Sequence, residues 1–75
     1  MPTIDDLAPR ATAGLPQLNL DLHVYATDTA HRFVFVNGQR YTEGASTPDG
    51  VRVERITRDG VILNWHGNRF LLRRQ

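Results

Sequence analysis

Apolar and polar residues alternate with a period of two over residues 18–25, which is the pattern of a half-buried β-strand. The apolar members share one predicted face, which is expected to turn toward the core: Leu18, Leu20, Leu22 and Val24. The polar members share the opposite face, which is expected to meet solvent: Asn19, Asp21, His23 and Tyr25. The alternation therefore predicts a strand over residues 18–25, and turn-forming residues after it predict a connection or a single helical turn capped by Asp28.

The strongest hairpin signal lies in residues 32–43, where an Asn-Gly pair separates two runs of β-prone residues. A type I′ turn needs positive φ at both central residues, and Asn37 and Gly38 reach that conformation at the lowest cost. The arm before the turn is apolar at every position, so we expect both of its faces to be covered, with Phe33 and Phe35 in the core. The arm after the turn alternates in polarity, as a half-buried strand does.

The C-terminal half predicts three further strands, which are separated by turn residues: 51–56, 61–65 and 69–73. Val51 and Val53 share a face, but Ile56 is out of phase with them. Either a bulge intervenes or the strand ends by Arg55.

Turns with recognisable chemistry separate these strands. Residues 57–60 predict a four-residue hairpin loop, with Gly60 in a left-handed conformation and Asp59 bonded to its own backbone. Five residues are assigned structural roles in turns: Asn37, Gly38, Asp59, Gly60 and Gly67. Short strands with turn signals about every ten residues predict an all-β fold, as a small curled antiparallel sheet, a β-sandwich or an open barrel of about six strands.

The N-terminal residues 1–16 differ from the rest, because they hold three of the four prolines and no strand pattern. Pro9 can begin a short helix that ends at Gly14. The apolar anchors of this segment are Ile4, Leu7 and Leu15. We assign residues 1–16 to a linker or a short helical cap, and residues 17–75 to the β-domain.

Composition narrows the class of protein. A chain of 75 residues forms one domain at most, and without cysteine neither disulfides nor thiolate metal sites can stabilise it. The net charge of +1 produces no field strong enough to indicate nucleic acid as a partner. No run of residues approaches the roughly 18 apolar positions of a membrane span.

The sequence offers little support for catalysis. It contains no G-x-S-x-G motif, no Walker A motif and no dinucleotide-binding glycine pattern. The histidines, His23, His31 and His66, are scattered without the spacing of metal ligands. We therefore expect a protein that is not an enzyme, with no catalytic residues, no cofactor and no metal.

Single-strand nucleic-acid binding is an alternative function, because small β-barrels bind single strands through stacking aromatic side chains and basic grooves. Trp65, Phe70 and Tyr41 are the aromatic side chains available for such a surface. Trp65 shares its parity with Val61 and Leu63, however, and Phe70 shares its parity with Leu72. We therefore expect Trp65 and Phe70 in the core, and we expect no nucleic-acid partner.

The predicted first strand is followed by a connection rather than by a tight hairpin, so it is a candidate edge strand. An edge offers unpaired N–H and C=O groups to a strand of a partner, a recognition mode called β-augmentation. The candidate partner-binding residues run along this strand: Asn19, Leu20, Asp21, Leu22, His23, Val24 and Tyr25. Two alternatives stay open: the same edge pairs with a second copy in a homodimer, or the strand is paired internally and its polar row is only solvated.

Three motifs carry a resemblance to a known family: H-V-Y at residues 23–25, R-F-V-x-[IV]-N-G-x-R-Y-x-E-G at residues 32–44 and D-G-V-x-L at residues 59–63. Together with the flanking residues, they resemble the C-terminal periplasmic domain of GspB, the type II secretion assembly protein of Gram-negative bacteria. The resemblance covers roughly residues 15–74 and extends to the homology region of GspC and to PilP-type domains.

The resemblance implies a non-enzymatic adaptor domain in the periplasm. It implies binding to the N-terminal periplasmic domain of the outer-membrane secretin, and joint work with a GspA-type ATPase in placing that secretin. It also implies anchoring in the inner membrane only through an upstream segment that is absent from this chain. We expect strand addition along residues 18–25 to be the mode of secretin binding.

Overall fold

The computed structural model describes residues 2–74, which form two three-stranded antiparallel sheets ordered β1-β2-β3 and β4-β5-β6. The strands are β1 Leu20–Val24, β2 Phe33–Val36, β3 Gln39–Tyr41, β4 Arg52–Ile56, β5 Gly60–Trp65 and β6 Asn68–Arg73. Short 3₁₀ helices lie at Ile4–Asp6, Pro9–Thr12 and Thr29–His31. The predicted all-β fold class is confirmed, and the arrangement is a small β-sandwich rather than a closed barrel. Met1 and Gln75, the outer ends of the two predicted segments, lie outside the described residues.

The segment after β3 joins the two sheets through backbone hydrogen bonds to β4. Gly44 N–H donates to the carbonyl of Val53 at 2.7 Å, and Val53 N–H donates to that of Ala45 at 2.7 Å. Thr47 N–H donates to the carbonyl of Val51 at 2.8 Å. Because the same segment follows the first sheet and pairs with the second, the chain curls from one sheet into the other. The outer edge of β4 is thereby covered.

The core lies between the sheets and is made of alternate residues of their strands. Its buried hydrophobic side chains are Val34, Val36, Val51, Val53, Ile56, Val61, Leu63, Trp65 and Phe70. Burial of each such side chain contributes about 1.5–3 kcal/mol relative to full exposure. Trp65 and Phe70 are 6% and 0% exposed, so the expectation that both lie in the core is confirmed.

The prediction that Phe33 and Phe35 lie in the core is wrong. Val34 and Val36 turn inward, while the two phenyl rings are half-buried on the outer face of the first sheet, edge to face with centroids 6.1 Å apart. Hydrophobicity alone does not distinguish the two faces of a strand that is apolar at every position. The parity is set by pairing across the hairpin, where Val34 lies opposite Tyr41, which packs against the core.

The prediction of an uninterrupted alternation over residues 18–25 is also wrong. Leu20 pairs with Val36, but Leu22 pairs with Phe35, so an extra residue of β1 stands between them as a β-bulge. That residue is Asp21, whose carboxylate accepts the N–H of Gly38 at 2.7 Å. The bulge reverses the parity of the rest of the strand. Leu22 consequently faces outward and is 48% exposed.

A second bulge lies in β4, between Val53, which pairs with Leu63, and Arg55, which pairs with Ile62. Of the two alternatives left open for this strand, the bulge is therefore correct. It allows Ile56 to return to the core, where it is fully buried.

The prediction of a left-handed Gly60 is wrong, because positive φ in the C-terminal half falls elsewhere. Gly60 opens β5 in extended conformation, and the loop before it is closed by Thr57 N–H donating to its carbonyl at 2.9 Å. A Cβ at Gly60 would lie 2.1 Å from the carbonyl oxygen of Leu72, so close approach of β6 explains this glycine. Positive φ occurs instead at His66 (51°) and Gly67 (87°), which form the two-residue turn between β5 and β6.

The hairpin turn between β2 and β3 has the conformation expected of its residues, with φ of 52° at Asn37 and 80° at Gly38. The single helical turn predicted after the first strand is present as the 3₁₀ helix Thr29–His31. Its N-cap is Asp28, whose carboxylate accepts the N–H of Ala30 at 3.0 Å.

The N-terminal residues pack against the second sheet. Trp65 Nε1–H donates to the carbonyl of Ala13 at 3.2 Å, and Leu71 N–H donates to that of Pro2 at 2.7 Å. Of the predicted apolar anchors, all pack against the core: Ile4, Leu7 and Leu15. The helix expected over residues 9–14 is shorter, because it ends at Thr12 and Gly14 follows with a φ of 76°. The domain division at residue 16 stays a prediction.

Substitution of Gly60 by alanine is expected to destabilise the domain by about 3 kcal/mol, because the new Cβ would collide with the backbone of β6. Gly38→Ala is the matched control, since a Cβ there meets no atom within 4 Å and only the strain of its positive φ is added, about 1 kcal/mol. Urea unfolding of the two variants measures the difference. Equal losses of stability would contradict the assigned role of Gly60.

Candidate functional site

The candidate site is the free edge of β1, on the side away from β2. Within residues 2–74, the backbone of residues 20–25 is hydrogen-bonded only to β2. The edges of the second sheet are covered differently, because Pro2 and Thr3 pair with β6 at Leu71. The other edge of the first sheet belongs to β3, which has three residues against the five of β1. The longer open edge of the first sheet is therefore that of β1.

The hairpin turn determines which backbone groups point toward β1. Val36 and Gln39 flank the two-residue turn and form a hydrogen-bonded pair of the antiparallel ladder. The direction of the backbone groups alternates along a strand, so those of Phe35 and Phe33 point away from β3 and toward β1.

On β1, Leu22 and Val24 lie opposite Phe35 and Phe33 and bond with them. His23 and Tyr25 alternate with these two residues. Their N–H and C=O groups therefore lie in the plane of the sheet and point away from β2, past the open edge. These groups are available to an added strand. The bulge at Asp21 interrupts the ladder on the N-terminal side, so regular pairing at this edge is confined to residues 22–25.

Within the polar row that was expected to meet solvent, Asn19 and Asp21 are exposed and also bonded to the hairpin turn, while His23 and Tyr25 are half-buried. Asn19 N–H donates to the side-chain oxygen of Asn37 at 2.8 Å, and the side-chain amide of Asn37 donates to the carbonyl of Gln17 at 2.8 Å. Asp21 binds the same turn through Gly38. The side-chain amide of Asn19 also donates to the side-chain oxygen of Asn37 at 3.2 Å, so Asn19 and Asp21 hold the first strand on the hairpin. Their role in partner binding stays a prediction.

His23 connects β1 to the second sheet. Its Nε2 lies 2.6 Å from the carbonyl oxygen of Thr57 and 3.1 Å from that of Gly60. Because both partners are acceptors, Nε2 carries the proton. The imidazole therefore points inward, while the backbone groups of the same residue remain at the open edge.

Tyr25 lies between two arginines. The guanidinium of Arg32 is 4.4 Å from the centroid of its ring, and that of Arg58 is 5.5 Å away. Both distances fall within the range of cation–π attraction. The ring is half-buried, so Tyr25 is a structural contact of β1 as well as a member of the open edge.

Sequence reasoning missed Arg32, a buried cation that organises this end of the domain. Its Nε donates to the carbonyl of Ala26 at 2.5 Å, and its terminal nitrogens donate to Tyr25 Oη at 3.1 Å and to the Thr27 carbonyl at 3.3 Å. Glu43 lies opposite, with its Oε2 3.5 Å from the guanidinium. Every buried charge needs such partners, because desolvation is costly.

A signal for this pair was present in the sequence. The Asn-Gly turn sets a register in which Val36 lies opposite Gln39 and Phe35 opposite Arg40. Continuing this pairing along both arms places Arg32 opposite Glu43. Glu43 extends the connection to the second sheet, since its Oε2 also accepts the N–H of Ile56 at 2.8 Å.

Two carboxylates with lowered pKa values lie away from the open edge. The backbone N–H and the hydroxyl of Thr3 lower the pKa of Asp6 from its ordinary value of 3.8. The side-chain amide of Asn64, then the guanidinium of Arg69, lower the pKa of Glu54 from 4.5. Since a lowered carboxyl pKa favours the ionised form in the fold, both contacts stabilise at neutral pH and are lost as pH falls through the lowered values.

The three histidines lie in unrelated surroundings. His23 binds backbone carbonyls, His31 lies 3.8 Å from the carboxylate of Asp28, and His66 stacks on the Trp65 ring with centroids 3.9 Å apart. Among residues 2–74, no three side chains of the metal-ligating types come together. None of the helices within that range is long and apolar enough to cross a membrane.

Fold and site together define a small antiparallel β-domain whose first strand leaves its edge open. The sequence matches the family described as Type II secretion system protein B over residues 15–74. The crystal structure of Dickeya dadantii GspB from the type 2 secretion system superposes with a TM-score of 0.73 at 39% identity, covering 79% of this chain and 70% of that chain. This chain belongs to the Type II secretion system protein B family, and the resemblance to GspB is confirmed.

Two curated relatives carry the name General secretion pathway protein B. That of Dickeya dadantii (strain 3937) is 40% identical over 58 residues, which are 77% of this chain and 26% of the relative. That of Klebsiella pneumoniae is 34% identical over 58 residues, which are 77% of this chain and 33% of the relative. The chain therefore spans between a quarter and a third of the length of these relatives.

Substitution of Arg32 by alanine is expected to destabilise the domain by about 3 kcal/mol, because it leaves the half-buried Glu43 without its cation and the carbonyls of residues 26 and 27 without a donor. Arg69→Ala is the matched control: its side chain is 61% exposed in the pair with Glu54, so the loss is expected below about 1 kcal/mol. Thermal or urea unfolding measures both. Equal effects would show that the buried pair has no special role.

Proposed function

We propose that this chain is a non-enzymatic protein–protein interaction domain of a type II secretion assembly factor, situated in the periplasm. Its partner is the N-terminal periplasmic domain of the outer-membrane secretin, which it binds by strand addition along residues 18–25. The observation that carries the proposal is the open edge of β1, where His23 and Tyr25 present unpaired backbone groups.

Strand addition suits this edge because the strand is already ordered. β1 is paired with β2 along one edge, and the imidazole of His23 ties it to the carbonyl of Thr57. Binding therefore requires little further loss of conformational freedom. The bulge at Asp21 narrows the expected contact from residues 18–25 to its C-terminal half. A contact of this length corresponds to a modest interface, on the order of 1,200 Å² in total or less.

Family membership supports a role in type II secretion and protein partners in that machinery. Placement of the secretin together with a GspA-type ATPase, and anchoring in the inner membrane through an upstream segment, are parts of the same proposal. They concern a whole protein of this family. The two curated relatives are three to four times as long as the segment matched here.

The proposal predicts that the recombinant N-terminal domain of the cognate secretin protects two amides at the open edge, those of His23 and Tyr25, from hydrogen exchange. In the free domain the N–H groups of His23 and Tyr25 are expected to exchange quickly, and those of Leu22 and Val24 slowly. Binding is expected to slow the exchange of His23 and Tyr25. Binding that leaves both amides unprotected would show that strand addition at this edge is wrong.

Proline substitution separates backbone pairing from side-chain contact. His23→Pro removes the outward N–H and is expected to abolish binding, while His23→Ala loses the same imidazole and keeps the N–H. Arg40→Pro removes an outward N–H at the opposite edge of the sheet, on β3, and is expected to bind normally. Loss of binding in Arg40→Pro alone would move the interface to β3.

A homodimer formed through the same edge is the second candidate, because an open edge pairs with copies of itself. Sedimentation at increasing protein concentration tests this candidate. A domain that stays monomeric excludes the homodimer. A single-strand nucleic-acid site has less support, because Trp65 and Phe70 are buried and offer no stacking surface. A fluorescent single strand at low salt checks that alternative.

A further inference from the structure

The open edge of β1 has an apolar outer side. The bulge turns Leu22 and Val24 outward, where they lie opposite Phe35 and Phe33. Leu22 is the most exposed large hydrophobic side chain of residues 2–74, at 48%. The guanidinium of Arg40 covers the Phe33 ring at 4.8 Å, on the side of the sheet remote from the edge. The apolar surface left open is therefore concentrated beside β1.

The inner side of the same edge is basic. Two hollows between β1 and the second sheet are lined in common by His23 and Arg74, and Arg58 lines the larger of them. No carboxylate of residues 2–74 lies within salt-bridge distance of Arg58 or Arg74. Leu20, Asp21 and Leu22 also line the smaller hollow, and the carboxylate of Asp21 is bonded there to the N–H of Gly38.

We infer, resting on the proposed function, that the partner strand received at this edge has one apolar and one acidic side. Its apolar side chains lie beside Leu22 and Val24, and a carboxylate on its other side faces Arg58 and Arg74. Directly opposed residues of paired strands have Cβ atoms about 4.5–5.5 Å apart, so partner side chains on the outer side must contact Leu22 and Val24. Residues between them point to the other side, into the basic hollows.

The opposite register is disfavoured on both sides of the sheet. A slip of one residue moves every side chain of the partner strand to the other face. Apolar groups would then cover the arginines and remove them from water without a counter-charge, and the carboxylate would lie against Leu22. The two sides of the edge thus select one register.

The partner that fits is another protein rather than a second copy of this chain. A second β1 supplies apolar side chains at Leu22 and Val24. At the alternating positions it supplies His23 and Tyr25, which carry no negative charge, and the carboxylate of Asp21 is already bonded. A second copy therefore leaves Arg58 and Arg74 without a counter-charge.

The N-terminal domain of the cognate secretin is the probe, and its affinity for exposed-residue variants is the measurement. Leu22→Ser is expected to weaken binding about tenfold at all salt concentrations. The conservative variant Leu22→Ile is expected to bind normally. The double variant Arg58→Glu with Arg74→Glu is expected to weaken binding about tenfold at low salt and less at high salt. Arg52→Glu, an exposed arginine on β4, is the control and is expected to bind normally.

The methyl resonances of Leu22 and Val24 provide a second readout, because they are expected to shift on binding while those of the core residue Leu63 do not. If His23 and Tyr25 amides are protected but the Leu22 and arginine variants bind normally, the register inference is wrong and strand addition stands. If the two amides are not protected, both are wrong. Tighter binding by the charge-reversed variant would show a basic partner strand and overturn the inference.

Discussion

The guanidinium of Arg32 is the group on which the first sheet depends. It is buried, and it satisfies its donors with the carbonyls of Ala26 and Thr27 and with the carboxylate of Glu43. Glu43 in turn accepts the N–H of Ile56 at the end of β4. One charge thus fixes the chain leaving β1, the base of the hairpin and the neighbouring sheet. A charge removed from water imposes this geometry strictly, because each lost partner carries a desolvation cost.

The edge of β1 remains open because the strand is held by side chains instead of by a second neighbouring strand. Asn37 and Asp21 attach its N-terminal end to the hairpin turn, and His23 attaches its middle to the second sheet. The bulge at Asp21 also limits unwanted pairing, since an irregular edge is a poor template for chance association. Order without full pairing is the property that a recognition edge needs.

Sequence periodicity predicted the second sheet well, because β5 and β6 alternate cleanly and bury one face each. It failed where a local contact overruled the alternation. The bond from Asp21 to Gly38 creates a bulge that no pattern within residues 18–25 reveals. Phe33 and Phe35 were misassigned because a strand that is apolar throughout carries no parity, and Gly60 because its role depends on β6, a partner remote in sequence. The edge position of β1 was inferred because no tight hairpin follows this strand. The faces of the remaining residues of the first sheet depend on the register between β2 and β3.

Each strand of the two sheets pairs with its immediate neighbour in sequence, so the pairing requires only short loops to close. Folding rates rise as contacts become more local, so we expect this domain to fold fast for an all-β protein. The contacts most distant in sequence are those of the N-terminal segment, such as Trp65 with Ala13, separated by 52 positions. Contact locality therefore predicts that the hairpins form first and that the N-terminal segment closes over them last. By the same reasoning, that segment is expected to be the first part of the domain to open.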